Sequence, residues 1–221
     1  DITGIGTTVD GGFAEYCAVP ASQVYKVTES LSFEQAAMTE PVSCCLHGIE
    51  LCNIKCGATV MVIGCGMIGL IMLQLARLSG AANIIAIEPI KEKREQALKL
   101  GADIALDPKA DNITDALKKH GLEQVDVVIE CVGRPETIEQ AIALAGKYST
   151  VMMFGLTKPD AEISVKPFEI FKKEITLKSS YINPYTFPVA IKLIESGKLD
   201  VSSMIYKAES LTELPSILAD G

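Results

Sequence analysis

The residues best suited to chemistry form a glycine turn. Gly64-Cys65-Gly66-Met67-Ile68-Gly69 has GxGxxG spacing. In that spacing the first glycine permits a tight turn and the second lets the backbone approach a pyrophosphate. The third lets a helix pack closely on a strand. The motif alone is weak, but its context is specific. It follows the β-branched run Thr59-Val60-Met61-Val62-Ile63 and opens a helical stretch from Met67 to Leu78. A helix N-terminus there aims free amides and a positive dipole end at a diphosphate. Glu88 stands 19 residues beyond Gly69, at the end of the next apolar run. A carboxylate at that place accepts hydrogen bonds from the adenosine ribose hydroxyls and repels a 2′-phosphate. Pro89 and Ile90 follow it rather than an arginine, so the pattern predicts NAD over NADP. Lys91, Lys93 and Arg94 either flank the adenosine end of such a ligand or form a solvated helix face.

A second group is Glu40-Pro41 with the thiols and imidazole that follow. Val42 to Asn53 reads as one helix carrying Cys44, Cys45, His47 and Cys52, with Cys56 beyond. These do not make a metal site by themselves. Cys45 and Cys52 are separated by about 10 Å of helical rise, whereas thiolates sharing a zinc, each about 2.3 Å from it, lie under about 5 Å apart. His47 reads as a packed or capping residue, and His120, before Gly121, as an imidazole favoured by a helix C-terminus. Cys131 has only Arg134 as a nearby cation, which argues against a reactive thiol.

The elements that must position these groups alternate along the chain. Strands are predicted at Thr59 to Ile63, Asn83 to Glu88, Ile104 to Leu106, Val125 to Glu130, Thr150 to Phe154 and Glu174 to Lys178. Helices are predicted between them, at Met67 to Leu78, Lys91 to Leu100, Asn112 to His120, Pro135 to Ala145 and near Phe168. Strands separated by helices of about ten residues specify an α/β fold: a doubly wound parallel sheet covered on both faces. The uncharged run of 21 residues from Cys56 to Ala76 is long enough for a membrane helix, but its glycines divide it into strand, turn and helix. The ends break the rhythm. Gly11 to Val27 alternates like sheet structure without crossover helices, and Tyr185 to Ser196 and Leu211 to Ala219 read as helices.

Composition bounds the rest. The chain has 221 residues, is 48% hydrophobic and 22% charged, and carries a net charge of −8. It is therefore globular, and nucleic acid or an anionic membrane is a poor partner for it. Seven scattered cysteines fit a reducing, cytoplasmic setting better than secretion. The opening Asp1-Ile2-Thr3-Gly4 lacks an initiator methionine and a signal-like run, so Asp1 is not expected to be a natural start.

Four ordered motifs now carry a resemblance: Gly-Gly-Phe-Ala-Glu-Tyr-Cys-Ala-Val-Pro (11–20), Thr-Glu-Pro-Val-Ser-Cys-Cys-Leu-His-Gly (39–48), the glycine turn, and Glu-Cys-Val-Gly (130–133). Along essentially the whole chain they resemble the medium-chain, zinc-dependent alcohol dehydrogenase family. The Glu-Pro pair is similar to its polyol branch of sorbitol, butanediol and threonine dehydrogenases. The resemblance implies a six-stranded Rossmann sheet flanked by remnants of a GroES-like catalytic domain. Residues 1–40 would be the last part of that domain, 41–182 the NAD domain and 183–221 the returning segment.

For the site, the resemblance implies NAD held by Gly64, Gly66, Met67, Ile68, Gly69, Glu88 and Lys93. It places Cys131-Val132 beside the adenosine or ribose and Phe154-Gly155-Leu156 near the nicotinamide. It makes Glu40 a direct or water-mediated ligand of Zn²⁺, the remaining ligands (a Cys and a Gly-His-Glu motif) lying outside this sequence, and it supplies no certain catalytic residue within it. A small-molecule alcohol or polyol would be oxidised to its ketone. Rossmann domains in the family pair through the sixth-strand edge, here about Ile175 to Ile182, which implies a homodimer or homotetramer. Two alternatives stay open: a non-catalytic NAD-sensing or scaffold module, and a zinc-free relative of the quinone reductases.

Overall fold

The computed structural model describes residues 4–219. Six strands form, β1 Thr59–Ile63, β2 Asn83–Ile87, β3 Ile104–Leu106, β4 Val127–Glu130, β5 Thr150–Met153 and β6 Thr176–Ser179. The helices are α1 Phe33–Ala37, α2 Thr39–Cys52, α3 Met67–Leu78, α4 Lys91–Lys99, α5 Ile113–Lys119, α6 Pro135–Leu144, α7 Pro167–Lys173, α8 Phe187–Glu195 and α9 Leu214–Ala219. The strands make one parallel sheet in the order β3-β2-β1-β4-β5-β6. That is the doubly wound Rossmann order, and it reverses direction between β1 and β4.

Strand periodicity explains why both faces need cover. Val60 and Val62 of β1, Ile84 and Ala86 of β2, and Val127 and Ile129 of β4 face one apolar core with α2, α3 and α8. Met61 and Ile63, Ile85 and Ile87, and Val128 face a second core with α5 and α6. Successive side chains point to opposite faces, so a strand buried on both sides reads as an unbroken apolar run. All five residues of β1 are buried.

Local chemistry sets the helix ends. Ser32 and Gln35 form a reciprocal capping box on α1, satisfying two free amides. Proline stands first in α6 and α7 and second in α8, where its missing N–H costs nothing and its φ is already helical. α2 stops where Asn53 turns left-handed at φ 52°. β6 and the segment after it fasten α2 near both ends. The Lys178 ammonium donates to the Leu51 carbonyl at 2.7 Å. The Asn183 amide donates to Ser43 Oγ at 2.7 Å, and the Thr186 hydroxyl donates to the Ser43 carbonyl at 2.8 Å.

Several boundaries depart from expectation. β6 starts at Thr176 rather than Glu174, because Glu174 closes α7 in a left-handed conformation, φ 53°. β4 starts at Val127; its predecessor Asp126 still exchanges backbone bonds with Thr59 and Thr150, and its carboxylate also accepts the Thr59 amide at 2.8 Å. The alternating stretch Gly11 to Val27 forms no strand, only a 3-10 turn at Ala21–Gln23. A strand needs a paired neighbour for its backbone, and none lies alongside it among the described residues. No helix among them is long and apolar enough to cross a membrane.

Candidate dinucleotide site

The reversal between β1 and β4 opens a crevice at their carboxyl ends, and the glycine turn lies on its edge. Gly64, at φ 89°, turns the chain out of β1 while its amide still donates to the Ile87 carbonyl at 2.8 Å. Gly69 is required by proximity: a Cβ there would lie 1.8 Å from the Gly64 carbonyl oxygen. α3 therefore seats directly on the end of β1. No side chain caps its N-terminus at Gly66, so the first-turn amides are free to meet an anion.

Glu88 is 5% exposed and faces inward. Its Oε2 accepts the Cys65 amide at 2.9 Å and its Oε1 accepts the Ile90 amide at 3.0 Å. The carboxylate thus braces the glycine turn against its own loop, with lone pairs left for further hydroxyl donors. The Arg94 guanidinium donates to the Glu88 carbonyl at 2.7 Å and pairs with Asp107 at 3.3 Å. Arg94 is accordingly committed to protein partners. Burial, then the Glu88 charge, push the Cys65 thiol up to about 12, with Lys93 opposing them. Burial, followed by neighbouring thiols and Glu130, also holds Cys131 well above the usual thiol range. Both thiols stay protonated and act as packing groups.

A cleft of about 420 Å³ opens beside these groups. Of the predicted residues it gathers Gly64, Gly66, Glu88, Lys93, Cys131 and Val132. Gly69 lies behind the turn. Ile68 packs toward the core and Met67 is 43% exposed at the helix start. The Phe154 ring packs beside α2: a Cβ on Gly48 would meet it at 2.9 Å. Gly155 touches the Gly133 backbone, and Leu156 is exposed beyond it. Sequence reasoning missed Arg134, Thr137 and Gln140, which complete the cleft from the start of α6. Their signal was positional, at the helix start just past the carboxyl end of β4.

Glu40 lies apart from this cleft, exposed on the first turn of α2. The Cys44 thiol donates to its Oε1 at 3.1 Å. Burial and this contact push Cys44 up to about 12. Among the described residues no group of three His, Cys, Asp or Glu side chains is placed to hold a metal ion. Zinc takes three or four protein ligands, so the residues present do not by themselves fit it. All seven cysteines are unpaired.

Comparison with known proteins agrees with this geometry. Residues 68–196 match the family described as zinc-binding dehydrogenase. D-arabinitol dehydrogenase 1 of Uromyces fabae is 33% identical over 215 residues, covering 94% of this chain and 61% of its own. A candidate zinc-binding dehydrogenase from Sinorhizobium meliloti 1021, solved bound to NADP, is 38% identical with a TM-score of 0.92, covering 97% of this chain and 64% of its own. A protein of E. coli CFT073, described as a short chain alcohol dehydrogenase and complexed with NADH, is 25% identical with a TM-score of 0.90, covering 97% and 63%. The chain thus spans less than two thirds of the length of each.

Proposed function

The chain belongs to the zinc-binding dehydrogenase family, and on that premise we propose that it is the coenzyme-holding part of an NAD-dependent alcohol or polyol dehydrogenase. The observation that carries the proposal is the uncapped start of α3 beside Glu88 at the β1/β4 crevice. The α3 amides would receive the diphosphate, and Glu88 the adenosine ribose hydroxyls. Arg134 and Thr137 would border the ligand from α6. When bound, the dinucleotide supplies a hydride acceptor for a carbinol carbon, or a donor for the ketone.

NAD is preferred over NADP in this reading. The buried Glu88 carboxylate opposes a 2′-phosphate, and Arg94, tied to Glu88 and Asp107, is not free to neutralise one. Relatives bound to NADP and to NADH both exist, so this preference is a property of the pocket rather than of the family. The substrate proposed is a small secondary alcohol or polyol, supported by the likeness to an arabinitol dehydrogenase. Residues 1–40 and 183–221 are read as catalytic-domain segments around the NAD domain at 41–182. Glu40 is read as one ligand of a zinc whose others this stretch does not supply. The open edge of β6, with Leu177 and Tyr181 exposed, supports pairing as a homodimer or homotetramer. The unpaired cysteines support a cytoplasmic setting.

The test is a coenzyme-linked assay with polyols, secondary alcohols and added zinc. These 221 residues should bind coenzyme without turnover. Polyol-dependent NADH formation should appear when the remaining metal ligands are supplied on the same polypeptide. Turnover by the 221 residues alone would overturn this division of labour.

A further inference from the structure

Glu130 ends β4 fully buried, and coenzyme binding as described gives it no task. Its Oε1 accepts the Val132 amide at 2.8 Å, the Gly133 amide at 3.0 Å and the Thr137 hydroxyl at 2.7 Å. Its Oε2 accepts the Gly133 amide at 3.2 Å. Its main-chain carbonyl accepts the amides of Phe154 at 3.0 Å and Gly155 at 2.9 Å. One residue therefore holds the loops that leave β4 and β5. Among the described residues no lysine, arginine or histidine pairs with it. Its charge is supported only by these donors and the positive end of α6.

A buried carboxylate without a cation is costly unless its donors are fixed. An apolar side chain, like those of Val128 and Ile129 before it, would fill the same volume at lower cost. The polar choice makes sense if loop shape matters. The two loops also leave no slack: a Cβ on Gly155 would lie 2.1 Å from the Gly133 amide nitrogen and 2.8 Å from Glu130 Oε2. Val132 and Cys131, on the loop so held, line the cleft, and so does Thr137.

We propose that Glu130 is a positioning residue for the dinucleotide: its buried carboxylate fixes the Cys131–Gly133 loop and the start of α6 in the shape the ligand meets. The proposal rests on reading the cleft as a dinucleotide site. It differs from the role proposed for Glu88, which lines the same cleft and braces the glycine turn.

The test measures NADH affinity, amide hydrogen exchange and thermal stability for the wild-type chain, Glu130→Gln and Glu130→Leu. Glutamine keeps an acceptor oxygen but loses the charge, so NADH should bind roughly threefold more weakly. Leucine removes every acceptor, and affinity should fall roughly tenfold or more, well below the melting temperature. Exchange at Val132 and Gly133 should speed up in that order. Phe154 and Gly155, bonded to the main-chain carbonyl, should keep their protection. If Glu130→Leu fails to fold, the pair Glu130→Gln and Thr137→Val replaces it and should combine to a similar loss. Folded variants that bind NADH as the wild type does, with lowered melting alone, would overturn the proposal and leave the coenzyme reading intact. A wild-type chain that binds no NADH would overturn both.

Discussion

The sheet from Thr59 to Ser179 and the segment from Gly4 to Ala37 are both rich in apolar and β-branched residues, yet they fold differently. In the first, β1 is buried along its whole length and apolar cores form on both faces. In the second, no residue is buried; Phe13, Tyr16 and Phe33 are 76%, 91% and 93% exposed. The difference lies in neighbours rather than in propensity. Each strand of the sheet has a parallel partner in register, and helices cover all but the largely exposed β6, while the early segment has only an isolated bridge between Ile5 and Val9. Alternation makes a strand only when another strand is there to accept it.

The sharpest way to break this contrast is Gly69→Ala. The added methyl meets the Gly64 carbonyl where neither backbone can retreat, so we expect a loss of about 3 kcal/mol or more, and of NADH binding with it. Chemical denaturation and NADH titration read both. Next is Leu73→Ala in α3, at 0% exposure, with an expected cost of about 3 kcal/mol. Glu88→Gln should keep the fold while weakening NADH roughly tenfold, and NADPH less, narrowing the preference.

A smaller effect concerns pH. The Cys52 and Cys65 thiols are raised from 9.0 to about 12, chiefly by burial. The folded chain therefore binds these protons more tightly than the unfolded chain does. Their contribution to stability is complete below pH 9 and is lost as pH rises through the interval up to about 12. Melting temperature should thus be level near neutrality and fall in that window, less so in a Cys52→Ser, Cys65→Ser variant. The smallest effect is expected in the early segment: Phe13→Ala should change stability by less than about 0.5 kcal/mol. A loss there as large as that of Leu73→Ala would erase the contrast between the two regions.

Much of the sheet was legible from the sequence because parallel strands buried on both faces leave apolar runs, and glycine or proline follows β1 to β5 within three residues. β1 is the plainest case, since Thr59 to Ile63 lies between Gly57 and Gly64. What was not legible depended on contacts distant in sequence. Glu88 read as a ligand-facing acid, but its inward bonds to Cys65 and Ile90 appear only once β2 stands beside β1. Phe154 read as a cofactor neighbour, and its ring's packing beside Gly48 appears only once α2 lies against β5. Glu130 belonged to a recognised motif, and only the meeting of the β4 and β5 loops explains its burial. Glu40 was legible as an acid before proline, while the described residues near it offer one thiol and no complete metal site.

The central claim is that the β1/β4 crevice holds a nicotinamide dinucleotide and prefers NAD. Parallel titrations of the chain with NADH and NADPH, read by cofactor fluorescence, test it most directly. Saturable one-site binding of NADH, with NADPH roughly tenfold weaker or more, is the predicted result. A folded chain that binds neither would contradict the claim, and tighter binding of NADPH would contradict the part assigned to Glu88.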